Sequence, residues 1–309
     1  NLIFKKKIEN LYENCKIHDI NYTKNIFLKE YNLDFDETIE LDKSYSIKSG
    51  SIAQVYKGYF KYDNKRPIAI KIVHPNIKYE MFVLKYFIKF FEKYFLNTLI
   101  SYLLNIQNIS KIVSFKNFIR TMENQTTMKF ENNFLQYFYN EYKNNEYIII
   151  PKSYFSSNNI LIMEFIDGDN LENQDISEYN KHKLFIMHNL FFRDLLYNKQ
   201  YIHGDLHKGN IKIQKYNEFY KLIIYDFGFC LNNDYRLFFK NMDKYVSIND
   251  YKLLGKLSYD RFITNYKITE VDYINDFINY FNNNKKYNLL NCGILFLNFI
   301  IDNNYTIEH

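Results

Sequence analysis

The sequence predicts an α+β protein of two lobes, the first rich in strands and the second in helices. Three observations carry this prediction. Apolar and polar residues alternate from about Tyr45 to Val73, the two-residue period of half-buried strands. Helical spacing takes over from Lys78 and again beyond residue 167. Between the halves, Asp167-Gly168-Asp169 breaks the chain directly after an apolar run, Ile160 to Ile166. The boundaries that follow are a helical extension over 1–35, a strand-rich lobe with inserted helices over 36–166, and a helical lobe over 167–309.

Element by element, residues 1 to about 33 carry helical spacing in Ile8, Leu11, Tyr12, Ile26, Phe27 and Tyr31. The pattern changes near Ile39. Tyr45-Ser46-Ile47, Ile52 to Tyr59 and Pro67 to Val73 read as consecutive antiparallel strands, with Gly50 and Asp63-Asn64 as turns. A helix is predicted from Lys78 to about Asn105, with Lys85, Lys89 and Lys93 on one face, and a second from Phe115 to Tyr142. Tyr147 to Ile150 and Ile160 to Ile166 read as two more strands. Past the break, short strands at Ile211–Ile213 and Leu222–Tyr225 interrupt a helical half.

Composition narrows the classes. A chain of 309 residues, 47% hydrophobic and 24% charged, reads as globular and is long enough for a sizeable core. Phe (29) and Tyr (31) crowd a sequence in which alanine occurs only at Ala53 and Ala69, and Asn, Lys, Ile, Tyr and Phe share AT-rich codons. Aromatic residues among lysines therefore carry no nucleic-acid signal here, and a net charge of +5 spread along the chain supports no nucleic-acid partner. Cys15, Cys230 and Cys292 are too few and too scattered for a disulfide framework or a zinc site, which points to a reducing, intracellular compartment. No signal peptide opens the chain, which starts at Asn1 without Met. The apolar run Leu289 to Ile301 is too short to span a bilayer, so a soluble or peripheral protein is expected, with the lysine row 85, 89, 93 as either a lipid-facing or a solvated face.

Chemistry concentrates in His203-Gly204-Asp205-Leu206-His207-Lys208-Gly209-Asn210 and in Asp226-Phe227-Gly228, which begins sixteen residues after Asn210. An aspartate, an asparagine and a second aspartate at this spacing suit phosphoryl transfer. Asp205 can orient or deprotonate an attacking hydroxyl, and Asn210 with Asp226 supplies oxygen ligands for Mg2+ on the phosphates of ATP. Upstream, Ser49, Gly50, Ser51, Ala53 and Val55 lie at a strand-turn-strand junction where small residues let backbone N–H groups approach phosphate oxygens. An ordinary hairpin turn reads equally well there. In Ile68-Ala69-Ile70-Lys71 the alternation buries the isoleucines and places Ala69 with Lys71 on the other face, where the lysine can reach phosphates if a carboxylate holds it. Glu131 is the candidate, with Glu123 the rival two turns earlier. Met163, Glu164 and Ile166 mark a hinge whose backbone would meet an adenine edge, although a plain core strand fits the same residues. His203 and His207 stand four apart, but the glycines around them argue for a loop and no third zinc ligand is evident; His203 is better suited to bracing that loop. Cys230 is either a thiol near the site or a buried filler.

With these residues assembled, the chain resembles the UbiB-type atypical kinases, also called AarF-domain or coenzyme Q8-type kinases. Ser49 to Lys57 is similar to that family's alanine-rich loop, Lys71 with His74-Pro75-Asn76-Ile77 to its strand lysine and following turn, and Glu131 to Phe138 to its glutamate helix. Met163 to Gly168 resembles its hinge, His203 to Ile211 its catalytic loop, and Tyr225 to Gly228 its metal-binding turn; the likeness covers roughly residues 8 to 240. The resemblance implies a two-lobed protein-kinase-like fold, ATP and Mg2+ as ligands, and ATPase or small-molecule kinase activity tied to isoprenoid quinone or lipid metabolism. Gln125 and Thr127 stand where the family carries a Glu-x-Asp pair, Gly50 where many members have alanine, and the family's Lys-x-Gly-Gln segment is expected upstream of Asn1. Two other classes stay open: a phosphotransferase of the aminoglycoside or choline kinase type, and a nucleotide-binding pseudokinase scaffold.

Overall fold

The structure, a computed structural model, describes residues 17–63, 66–91, 115–171, 176–217, 219–263, 268–283, 295, 296, 298–300, 302, 303 and 305. These fall into two compact units. One comprises Asn1–Val83, Arg120–Phe192 and Tyr201–Leu231, and the other Leu84–Ile119, Arg193–Gln200 and Asn232–His309.

In the first unit, helix α1 (Ile20–Tyr31) starts where the Asp19 carboxylate accepts the Asn21 amide and stops where Asn32 turns left-handed, at φ 54°. A single turn, α2 (Phe35–Thr38), capped by Asp34, leads into the main sheet. Its strands are β1 (Ile39–Leu41), β2 (Lys48–Ser49), β3 (Ala53–Phe60), β4 (Pro67–Val73), β6 (Ser153–Ser156) and β7 (Ile160–Glu164), ordered β1-β3-β4-β7-β6 with β2 on the start of β3. Every pairing is antiparallel. Residues directly opposite in such a ladder share a face. Lys71 stands opposite Val55 and Leu161, and Ala69 opposite Lys57 and Met163, so these side chains form one face. Tyr56, Ile68, Ile70, Ile72, Ile160 and Ile162 form the other. That second face packs on Phe27, Phe35 and Ile39 into a buried core, which leaves the first face free to build a site.

The remaining elements of this unit complete it. Helix α5 (Met128–Tyr142) buries Met128, Glu131, Phe134, Leu135 and Phe138. A two-residue strand, β5 (Ile148–Ile149), pairs in parallel with β10 (Phe219–Ile224), which also pairs with β9 (Ile211–Tyr216). Strand β8 (Tyr201–His203) pairs with β11 (Cys230–Asn232).

Several predicted elements are corrected. Tyr45–Ile47 is a turn and coil, and the strands lie on either side of it at Ile39–Leu41 and Lys48–Ser49. The single helix predicted over Phe115–Tyr142 is two, α4 (Phe115–Gln125) and α5, because the amides of Thr126 and Thr127 fold back on Glu123 and Asn124 instead of continuing the ladder. The 147–150 strand joins the β9–β10 sheet, not the one that holds Lys71. Strands β6, β8 and β11 were not predicted. They have mixed polar sequences; β6 forms a hairpin with β7, whereas β8 and β11 pair from far apart along the chain. Helix α3 (Ile77–Phe91) fills the described part of the predicted 78–105 helix, with Lys85 half-buried and Lys89 exposed. Lys93, Cys15, Cys292, residues 1–16 and much of 289–301 lie outside the described residues.

Helix α6 is Glu178–Asn198, and helices α7 (Arg236–Ser247), α8 (Tyr251–Phe262) and α9 (Glu270–Asn283) belong to the second unit. Asp250 caps α8 by accepting the Leu253 amide. Leu254, Tyr273, Phe277, Phe281 and Phe299 form this unit's core. Phe277 and Phe281 stack 4.1 Å apart, and a Cβ at Gly255 would sit 3.3 Å from the Phe277 ring.

Candidate active site

Lys71 reaches across the free face of the sheet to two carboxylates. Its Nζ lies 2.9 Å from Glu131 Oε1 and 3.1 Å from Asp226 Oδ1. The lysine side chain is 12% exposed, Glu131 is 4% and Asp226 is 47%, so one carboxylate is sealed in and the other faces an opening. Two negative groups sharing one positive group in a buried place leave a charge in excess. Burial pushes the Glu131 carboxyl up to about 7, against the pull of Lys71 and helped by the charge of Asp226. Burial also opposes the charge on Lys71, but Asp226 and Glu131 outweigh it and hold the ammonium above its usual range. At Asp226 the attraction of Lys71 and the Gly228 amide wins over burial and holds the carboxyl low.

Asp226 is aimed by strain. It sits at φ 56°, the left-handed region that a non-glycine residue adopts at a cost, and the Gly228 amide donates to its Oδ1 at 3.3 Å. Phe227 next to it is 1% exposed, stacked on Phe138 of α5 at 5.1 Å and 28°. One stack thus ties the turn that carries Asp226 to the helix that carries Glu131.

The 203–210 segment is braced to that turn. His203 Nε2 lies 3.0 Å from the Tyr225 carbonyl, so it must be the donor, while the Asp205 amide donates to Nδ1 at 3.3 Å. The ring is therefore neutral, and burial pushes its titration down accordingly. Asn210 is nearly buried; its Nδ2 donates to the Asp205 carbonyl at 2.9 Å and its carbonyl accepts the Tyr225 amide. This engages the amide nitrogen and leaves Oδ1 as the side chain's acceptor atom. The Asp205 side chain is 55% exposed, with His207 Nε2 3.6 Å away. Oxygen donors from Asn210 and Asp226 suit a hard divalent cation that takes its other ligands from phosphates and water. Among the described residues no group of three His, Cys, Asp or Glu side chains could hold a metal ion. Cys230 is buried, and burial pushes its thiol up, so it fills space.

The predicted loop and hinge residues fall around this centre. Ala53, Val55, Ala69 and Met163 lie on the face of Lys71. Ser49 is buried, Gly50 half-buried and Ser51 exposed in the turn between β2 and β3. Glu164 ends β7, its amide on the Lys152 carbonyl and its carboxylate on the Lys152 amide. The Ile166 carbonyl accepts the Tyr225 hydroxyl at 2.8 Å. Sequence reasoning missed Tyr225 as a link from the 166 segment to the 226 turn, and also Lys57. The latter pairs with Asp42 at 3.1 Å and lies 4.8 Å over the Phe165 ring. Its alternation in step with Val55 was the available signal.

A family model, the ABC1 atypical kinase-like domain, matches residues 10–257. The chain belongs to the ABC1 atypical kinases. A mitochondrial ABC1 family protein of Schizosaccharomyces pombe is 23% identical over 288 residues, 82% of this chain and 38% of that protein. An AarF domain-containing kinase 1 of Drosophila melanogaster is 24% identical over 196 residues, 60% of this chain and 35% of that protein. The ABC1 chain thus spans under two fifths of the curated relatives' length. Among solved structures, Rv3197 of Mycobacterium tuberculosis, in complex with erythromycin, superposes with a TM-score of 0.58 at 15% identity over 86% of this chain and 67% of that one. The UbiB/AarF resemblance and the protein-kinase-like fold, with a sheet-built first lobe and a helical second half, are borne out. Gln125 closes α4 and Thr127 precedes α5, so the two residues flank the joint between two helices of the ABC1 domain. No helix among the described residues is long and apolar enough to cross a membrane.

Proposed function

We propose that this ABC1 domain binds Mg-ATP and transfers or hydrolyses its terminal phosphoryl group. The observation that carries this is Lys71 held between Glu131 and Asp226, with Asn210 and Asp205 braced beside it. In this reading Lys71 binds phosphate oxygens, and loop 49–55 covers them with backbone N–H groups. Ala69, Met163, Glu164 and Ile166 receive the adenine. Asn210 and Asp226 would hold Mg2+, which neutralises phosphate charge when bound. Asp205, exposed at the end of a braced loop, positions the attacking hydroxyl or water and takes its proton. The lobe boundary then falls at Asp167. A link to isoprenoid quinone or lipid chemistry is supported by family membership alone and names no acceptor.

The test is ADP release from Mg-ATP by wild type and Asp226→Asn, with and without anionic liposomes. Release that the variant loses supports the reading, and stimulation by liposomes supports the lipid link. Background release from both proteins, with nucleotide binding retained, selects the pseudokinase scaffold instead.

A further inference from the structure

Behind the 49–53 loop lies a partly buried polar chain that the proposed chemistry does not use. The His18 amide donates to Gln54 Oε1 at 2.9 Å, which orients that side-chain amide and points Nε2 at the Tyr56 hydroxyl, to which it donates. Tyr56 Oη lies 2.9 Å from Thr23 Oγ1, and Thr23 Oγ1 3.1 Å from His18 Nε2. His18 Nδ1 lies 2.8 Å from His74 Nδ1, and His74 Nε2 lies 2.9 Å from the carbonyl of Gly50, with Ser49 Oγ at 3.4 Å.

The two ends fix the direction. A backbone N–H can only donate and a carbonyl can only accept. With Gln54 donating to Tyr56, Tyr56 donates to Thr23 and Thr23 to His18 Nε2. A neutral His18 then carries its proton on Nδ1 and gives it to a bare Nδ1 of His74, whose proton sits on Nε2 and meets Gly50. Read backward from the Gly50 carbonyl, the same assignment results. Each bond in such a series polarises the next.

We infer that His74, oriented by His18, is a positioning residue that turns the Gly50 carbonyl away from the nucleotide and fixes loop 49–53 for phosphate. A carbonyl free to rotate into the site would set its negative end against phosphate oxygens. The inference rests on the reading of that loop as a phosphate loop. Burial and the neighbouring His74 push His18 down to about 4, with only Asp19 opposing, while the Tyr22 ring meets it edge-on at 4.9 Å. His18 therefore stays neutral through the physiological range.

Two measurements test this. In protein labelled with 15N-histidine, His18→Gln and His74→Gln assign the ring signals. At neutral pH His18 is expected as the Nδ1–H tautomer and His74 as the Nε2–H tautomer. An Nε2–H tautomer at His18, or a doubly protonated His74, overturns the inference. Second, His74→Phe is expected to speed amide exchange in residues 50–53 and raise the Kd for Mg-ATP about five- to tenfold. His74→Gln, whose amide nitrogen can still reach Gly50, recovers most of this. Unchanged exchange in His74→Phe refutes the positioning role. If Lys71→Met leaves Mg-ATP binding intact, the nucleotide reading fails instead, and the tautomers and exchange still decide the relay.

Discussion

Glu131→Gln should separate the stability of this fold from its turnover. Glu131 and Asp226 share the single ammonium of Lys71, and burial places the cost of the excess charge on Glu131, whose carboxyl is pushed up to about 7. A carboxyl that titrates higher folded than unfolded stabilises the fold fully below its unfolded value, and that contribution is lost as pH rises through the folded one. The window here runs from the ordinary glutamate range to about 7. Above it, the charged side chain costs the fold about 3 kcal/mol, at about 1.4 kcal/mol per unit of displacement. Glutamine keeps the shape, removes the charge and leaves Lys71 with Asp226 at 3.1 Å. Urea unfolding followed by far-UV circular dichroism suits a chain without tryptophan. At pH 8 the variant should be more stable than wild type by about 3 kcal/mol, and the gap should close towards pH 5. ADP release should meanwhile fall about tenfold or more, since one of the two groups that aim Lys71 is gone. A variant less stable by about 3–5 kcal/mol at both pH values would refute the reasoning, because that is the cost of stranding a buried charge whose pairing had been net favourable.

Other outcomes follow from single contacts. Gly204→Ala would put a Cβ 2.5 Å from the Phe229 ring, and the loss of about 1–3 kcal/mol should show in thermal melts, with ADP release impaired. Tyr225→Phe removes the hydroxyl that holds the Ile166 carbonyl at 2.8 Å; about 1 kcal/mol is at stake, and the KM for ATP should rise with kcat little changed. Cys230 in the folded protein should resist iodoacetamide at neutral pH, read by peptide mass mapping, because burial pushes its thiol up; rapid alkylation there would contradict its place in the core.

The parts of this structure legible in the sequence are those governed by local rules. Alternation placed Ile68 and Ile70 in the core and Lys71 on the opposite face, and two short motifs sixteen residues apart singled out Asn210 and Asp226, because each signal is carried by a short stretch of chain. The choice of Glu131 over Glu123 needed a helix register that periodicity alone left open, and the structure puts Glu131 on Lys71. The break at Thr126 and Thr127 was hidden, since neither residue stops a helix by itself. Strands β8 and β11 depend on each other across more than twenty residues, a pairing that no window sees. The His18–His74 contact joins residues fifty-six apart, and nothing in either local sequence announces it.

The parallel pairing of β5 with β10 has a mechanical result. Strand β5 follows the helix that carries Glu131, β10 runs into the turn that carries Asp226, and the Phe138–Phe227 stack bolts the two a second time. The two acids are geared together, like teeth on one wheel. Switching by swinging the glutamate helix out while the Asp226 turn stays behind would have to tear both couplings at once. Control of such a site falls to what faces the wheel from the other side, the lysine strand and the loop that His74 holds.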